Sequence, residues 1–114
     1  MDGTKSGGPL KHSKSPIHHV AIPVQKIARA IAWYQEHFNC DILYQDESWA
    51  LLQFANIKLA LVLPEQHPGH LAFVHEHPEQ FGALKHHRDG TRSIYINDPE
   101  GNAIEFIEKT SIGR

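Results

Sequence analysis

The chain has 114 residues, of which 40% are hydrophobic and 21% charged. That length accommodates one domain with one core, and the composition excludes a disordered, collagenous or fibrous chain. With 11 Lys and Arg against 13 Asp and Glu the net charge is −2, and no basic stripe interleaves with aromatics, so nucleic acid is not an expected partner.

The longest uninterrupted apolar run, Leu59 to Leu63, falls far short of the roughly 20 residues that span a bilayer, so no membrane segment is expected. No apolar stretch follows Lys5, which argues against a secretory signal and for the cytoplasm. A single cysteine, Cys40, permits no intrachain disulfide and agrees with a reducing compartment. Ten histidines are unusual, and protonating all of them would move the net charge from −2 to +8 as the pH falls through about 6.5.

Met1 to Ser15 is rich in Gly, Lys and Ser and nearly devoid of apolar side chains, so residues 1–16 are expected to form a flexible leader to one domain over 17–110. Ile17 to Val24 reads as a strand, with Val20, Ile22 and Val24 on one face and His19, Ala21 and Pro23 on the other. Ile27, Ala30, Ile31, Tyr34 and Phe38 recur at helical spacing and predict an amphipathic helix over 27–38. Ile42 to Gln45, Trp49 to Phe54 and Ile57 to Leu63 follow as strands, the last two joined by a tight turn at Ala55-Asn56.

The pattern then restarts. His70-Leu71-Ala72-Phe73-Val74 echoes His19-Val20-Ala21-Ile22, and Pro78 opens a second helix candidate at the same distance from His70 as Ile27 from His19. Ser93 to Asn97 and Ala103 to Glu108 close the copy as a hairpin around Asp98-Pro99-Glu100-Gly101-Asn102. The expected fold is therefore α+β: tandem βαβββ modules, 17–64 and 69–109, forming a curved mixed sheet, with the second module shortened and its second strand vestigial or missing.

Duplicated modules pair about an approximate two-fold axis, which lets the equivalent residues His19 and His70 converge. Period two in the last strand places Ile104 and Phe106 toward the helices and Glu105 on the concave face. A carboxylate between apolar neighbours needs a cation or donor, and two imidazoles with one carboxylate suit a divalent first-row metal with open positions. Trp49, Gln53 and Tyr95 are expected to line the pocket wall by alternation, and Arg92 is a candidate for holding an anionic substrate group. His18 is expected to face away from His19, His86-His87 to make a helix-end contact, and His12, His37 and His67 to be solvated. His75 and His77 read as surface residues and Cys40 as structural.

His18-His19-Val20-Ala21-Ile22, Ala32-Trp33-Tyr34, His70-Leu71-Ala72-Phe73 and, most specifically, Ser93 to Phe106 resemble the vicinal oxygen chelate superfamily. That superfamily includes glyoxalases, fosfomycin-resistance enzymes, methylmalonyl-CoA epimerases, bleomycin-binding proteins and extradiol dioxygenases. The resemblance implies a metal site at His19, His70 and Glu105, with Glu105 catalytic and Zn, Ni, Mn or Fe as the divalent ion. It further implies a small-molecule substrate chelated through neighbouring oxygens, lyase, isomerase or transferase chemistry, and a homodimer. Members with four protein ligands carry Glu or Gln in the first module's last strand. Here the concave positions of that strand are expected to hold Leu59 and Leu61, so three ligands are implied. A metal-free protein that sequesters its ligand, as the bleomycin-binding members do, is the alternative.

Overall fold

The computed structural model describes residues 14–112; most of the leader expected over 1–16 lies outside them. The elements are β1 (Ile17–Pro23), α1 (Ile27–His37), β2 (Asp41–Gln45), β3 (Trp49–Gln53), β4 (Lys58–Val62), β5 (His70–His75), β6 (Lys85–His86), β7 (Arg92–Asn97) and β8 (Ala103–Glu108). They form one eight-stranded sheet in the order β2-β3-β4-β1-β5-β8-β7-β6. The order reads symmetrically about its centre: β1 pairs in parallel with β4, β5 in parallel with β8, and β1 meets β5 antiparallel. The duplication legible in the sequence is thus a two-fold relation in space, and β6 is the vestige of the second module's second strand.

Two apolar layers flank the first half of the sheet. On one face, Ile27 and Ile31 of α1 pack with Cys40, Ala50, Leu52 and Leu61, joined by Ile22, Val24 and Leu59. Burying each such aliphatic side chain contributes about 1.5–3 kcal/mol, which holds a helix that has no side-chain cap at Lys26. On the opposite, concave face Ala21, Leu51, Ala60 and Val62 cluster with Tyr44 and Trp49. This corrects one expectation: Leu59 and Leu61 point to the helix, and Ala60 and Val62 occupy the concave positions. The pairing register decides this: Leu59 and Leu61 lie opposite Val20 and Ile22, and Ala60 and Val62 lie opposite Ala21 and Pro23, so each pair shares its partner's face.

The second helix candidate is also corrected, because Pro78–Phe81 makes only a short 3-10 turn. Gly82, at φ 146°, ends it before an α-helical turn can repeat. Phe81 packs edge-on against Phe106, with ring centroids 5.1 Å apart. The closing turn of the β7–β8 hairpin is built as its sequence suggests. Asp98 accepts hydrogen bonds from the backbone of Glu100 and Asn102, and Gly101 supplies a φ of 87°. This turn fixes the register that puts Glu105 opposite Tyr95 on β7 and Ala72 on β5. Among the described residues no helix is long and apolar enough to cross a membrane.

Candidate metal centre

His19, His70 and Glu105 meet at the centre of the concave face. His19 Nε2 lies 3.4 Å from His70 Nε2 and 3.4 Å from Glu105 Oε1, and His70 Nε2 lies 3.0 Å from the same oxygen. Metal–ligand bonds of about 2.0–2.2 Å at tetrahedral to octahedral angles place neighbouring donor atoms roughly 2.8–3.6 Å apart, so the spacing fits one ion. Two nitrogens and one oxygen suit a borderline first-row ion better than calcium or magnesium, which favour all-oxygen shells.

Surrounding groups orient each donor. His70 donates its Nδ1–H to the carbonyl of Pro68 at 2.8 Å, which holds the ring with Nε2 turned inward toward Glu105. His19 Nδ1 lies 2.8 Å from His18 Nδ1, an outer contact of the same kind. Ser93, fully buried, donates its hydroxyl to Glu105 Oε2 at 2.6 Å, and its oxygen lies 2.7 Å from His87 Nε2. Burial works to raise the Glu105 carboxyl, yet hydrogen bonds from His19, His70 and Ser93 outweigh it and hold the group well below the usual carboxylate range. Burial, reinforced by the Glu105 charge, pushes the Tyr95 phenol up, so it stays protonated at neutral pH.

His19, His70 and Glu105 line a cavity of about 220 Å³, which is also lined by Trp49, Leu51, Ala60, Val62 and Tyr95. Trp49 and Tyr95 thus fall beside the triad, whereas Gln53 and Arg92 do not. Gln53 shares a face with Trp49 and Leu51 but sits at the strand's far end, beside Lys58, where it donates to the carbonyl of Phe54. Arg92 precedes the inward-facing Ser93 by one residue, so the pleat turns it to the other face, where it pairs with Glu108.

Several cavity residues were not foreseen from the sequence, among them His18, His67, His87 and Arg88. His18 is the extra residue of a β-bulge, since Ile17 pairs with Phe73 and His19 with the very next residue, Ala72. The bulge turns His18 toward the cavity beside His19, and burial followed by the neighbouring His19 lowers its pKa to about 4. His67 lies in the loop before β5, 3.3 Å from the Tyr95 hydroxyl, and burial lowers its pKa. His87 reaches Ser93 from the β6–β7 loop, and Arg88 crosses the cavity mouth to Asp46 at 2.9 Å. Loop residues carry no periodicity, so only the abundance of histidine hinted at them. Away from the cavity, His75 stacks on Phe106, His77 pairs with Glu79 at the surface, and Cys40 is buried in the helix-side core.

The family model of the Glyoxalase/Bleomycin resistance protein/Dioxygenase superfamily matches residues 16–83, a stretch that includes His19 and His70. Among solved structures, hypothetical protein BH1468 from Bacillus halodurans C-125 superposes with a TM-score of 0.69 at 14% identity, covering 90% of this chain and 99% of that one. A glyoxalase/bleomycin resistance protein/dioxygenase superfamily member from Vibrio splendidus 12B01 gives 0.63 at 10% identity, covering 83% and 99%. Methylmalonyl-CoA epimerase from Mycobacterium tuberculosis gives 0.62 at 19% identity, covering 81% and 86%. At these identities the likeness is one of fold.

Proposed function

The chain belongs to the glyoxalase/bleomycin resistance protein/dioxygenase superfamily, and from that premise we propose a metal-dependent small-molecule enzyme of the lyase, isomerase or transferase kind. The observation that carries the reading is the convergence of His19 Nε2, His70 Nε2 and Glu105 Oε1 within 4.8 Å of one another. His19, His70 and Glu105 hold a divalent ion of the Zn, Ni, Mn or Fe type. Bound there, the ion supplies a Lewis acid for neighbouring oxygens of the substrate.

The chain's own residues provide the rest. Glu105 keeps its carboxylate ionised, with Ser93 fixing Oε2 so that Oε1 faces the histidines. The Tyr95 hydroxyl lies on the cavity wall beside His67 and donates to a substrate oxygen. Leu51, Ala60 and Val62 exclude water from one side of the cavity, which strengthens each of these polar contacts. A homodimer in the cytoplasm belongs to the same reading, and Trp33, Phe38, Ile42 and Leu43 offer exposed apolar surface for an interface.

The test is metal analysis of protein purified without chelator and then reconstituted separately with Ni²⁺, Zn²⁺, Mn²⁺ and Fe²⁺. The reading expects about one equivalent of at least one ion, and less than about 0.1 equivalent of every ion overturns it. Small-molecule binding that survives EDTA and His70→Ala would instead support the metal-free, ligand-sequestering alternative. Sedimentation at micromolar concentration checks the dimer, and a lone 12.9 kDa species contradicts it.

A further inference from the structure

The two-fold relation lets every cavity position in one half of the sheet be compared with its equivalent in the other. His19 pairs with Ala72 and Ala21 with His70 across the central ladder, so His19 corresponds to His70 and Ala21 to Ala72. Ala21 lies opposite Ala60 on β4, and Ala72 lies opposite Glu105 on β8. Ala60 therefore stands where the second half has its carboxylate. By the same reasoning Leu51, opposite Ala60, corresponds to Tyr95, and Trp49, opposite Val62, corresponds to Ser93. One half of the cavity presents a carboxylate and a phenol where the other presents a methyl and an isobutyl group, and Trp49 lines the open cavity where its counterpart Ser93 is fully buried beside Glu105.

This asymmetry describes the occupant. The apolar half forms a continuous wall, with Trp49 stacked on Tyr44 at 4.4 Å and 25° between planes, a flat and rigid support. Among the described residues Arg88 is the one Lys or Arg that lines the cavity, and its guanidinium is already committed to Asp46 and Ser48. Asp89 adds a negative charge at the rim. A divalent ion with Glu105 leaves a single positive charge to neutralise, which suits a monoanion and gives a phosphoryl dianion no second cation. A cavity of about 150 Å³ holds benzene, so the volume of about 220 Å³ admits one ring with a short oxygenated arm.

We propose that the substrate is a small, singly charged acid with two neighbouring oxygens and one flat apolar group, of the aryl 2-oxo acid type. Its oxygens face His19, His70 and Glu105, and its ring lies along Trp49, Leu51, Ala60 and Val62. This inference rests on the metal-dependent reading, and the experiment separates the two.

Calorimetric titration with Ni²⁺ comes first, followed by titration of the nickel-loaded full chain with phenylglyoxylate, pyruvate and phosphoglycolate. The expected order is phenylglyoxylate tightest, by about tenfold or more over pyruvate, with phosphoglycolate weaker than phenylglyoxylate. Trp49→Phe keeps that preference, whereas Trp49→Ser, which gives the first half the residue of its counterpart, brings phenylglyoxylate to within about threefold of pyruvate, and both variants take up nickel as the parent does because Trp49 is not a ligand. Nickel uptake with phenylglyoxylate and pyruvate binding within about threefold, or with phosphoglycolate tightest, overturns the substrate assignment and leaves the metal site standing. Failure to take up nickel, or any other of the four ions, overturns both.

Discussion

Replacing Ser93 with alanine removes the one buried hydroxyl that fixes the candidate metal ligand Glu105. Its oxygen donates to Glu105 Oε2 at 2.6 Å and lies 2.7 Å from His87 Nε2. Both His19 and His70 keep their places in the variant, so the number of bound ions is unchanged and the affinity is what falls. A hydrogen bond to an ionised acceptor contributes about 1.5–3 kcal/mol. Loss of an outer partner of a metal ligand lowers metal affinity by about 10–100-fold, or roughly 1.4–2.8 kcal/mol, so two separate lines give the same range. Without Ser93, Oε2 turns toward His87, now 3.6 Å away, and Oε1 leaves its position between the histidines. Competition titration against a chromophoric chelator measures the change. A dissociation constant for Ser93→Ala within about threefold of the parent protein would refute the reasoning.

Three further outcomes follow from the same geometry. His19→Ala, His70→Ala and Glu105→Gln each lower metal affinity by more than the roughly 10–100-fold expected of an outer partner, in the same competition titration, while His77→Ala, 74% exposed in its side chain, leaves it unchanged. Leu61, fully buried between α1 and the sheet, costs about 2–5 kcal/mol on truncation to alanine, whereas exposed Leu43 costs less than about 0.5; denaturant unfolding separates them. The Asp46 carboxyl is raised by burial, but hydrogen bonds from Tyr44, Ser48 and Trp49 outweigh this and hold it below its ordinary value of 3.8. A carboxyl lowered by folding stabilises the fold above its unfolded value and loses that contribution as the pH falls through the folded one. Stability therefore declines below about pH 4, and Asp46→Asn makes that decline shallower in pH-dependent thermal melts.

Much of this arrangement was legible in the chain, because it rests on repetition and alternation. His19 and His70 are recognisable as equivalents from their identical settings before apolar-Ala-apolar, and Glu105 from its place between Ile104 and Phe106. What escaped depends on single-residue shifts that alternation does not encode. The bulge at His18 turns a residue expected outside toward the cavity. The register of β4 against β1, Ala60 opposite Ala21, puts Ala60 rather than Leu59 and Leu61 on the concave face. The first-half position equivalent to Glu105 is therefore Ala60 rather than a leucine. The second helix does not form because Pro78 favours a first turn but Gly82, at positive φ, stops the next. Gln53 and Arg92 show the limit of alternation: the first has the right face at the wrong end of its strand, and the second the wrong face.

Six histidines line the cavity, and two of them, His19 and His70, belong to the proposed metal centre. X-ray absorption at the metal edge of protein loaded with one equivalent of Zn²⁺ or Ni²⁺ counts them directly. The predicted spectrum contains two imidazole ligands with the remaining positions filled by oxygen, one of them lost in Glu105→Gln. Three or more imidazoles, or a spectrum unaltered by His70→Ala, would contradict the three-ligand centre.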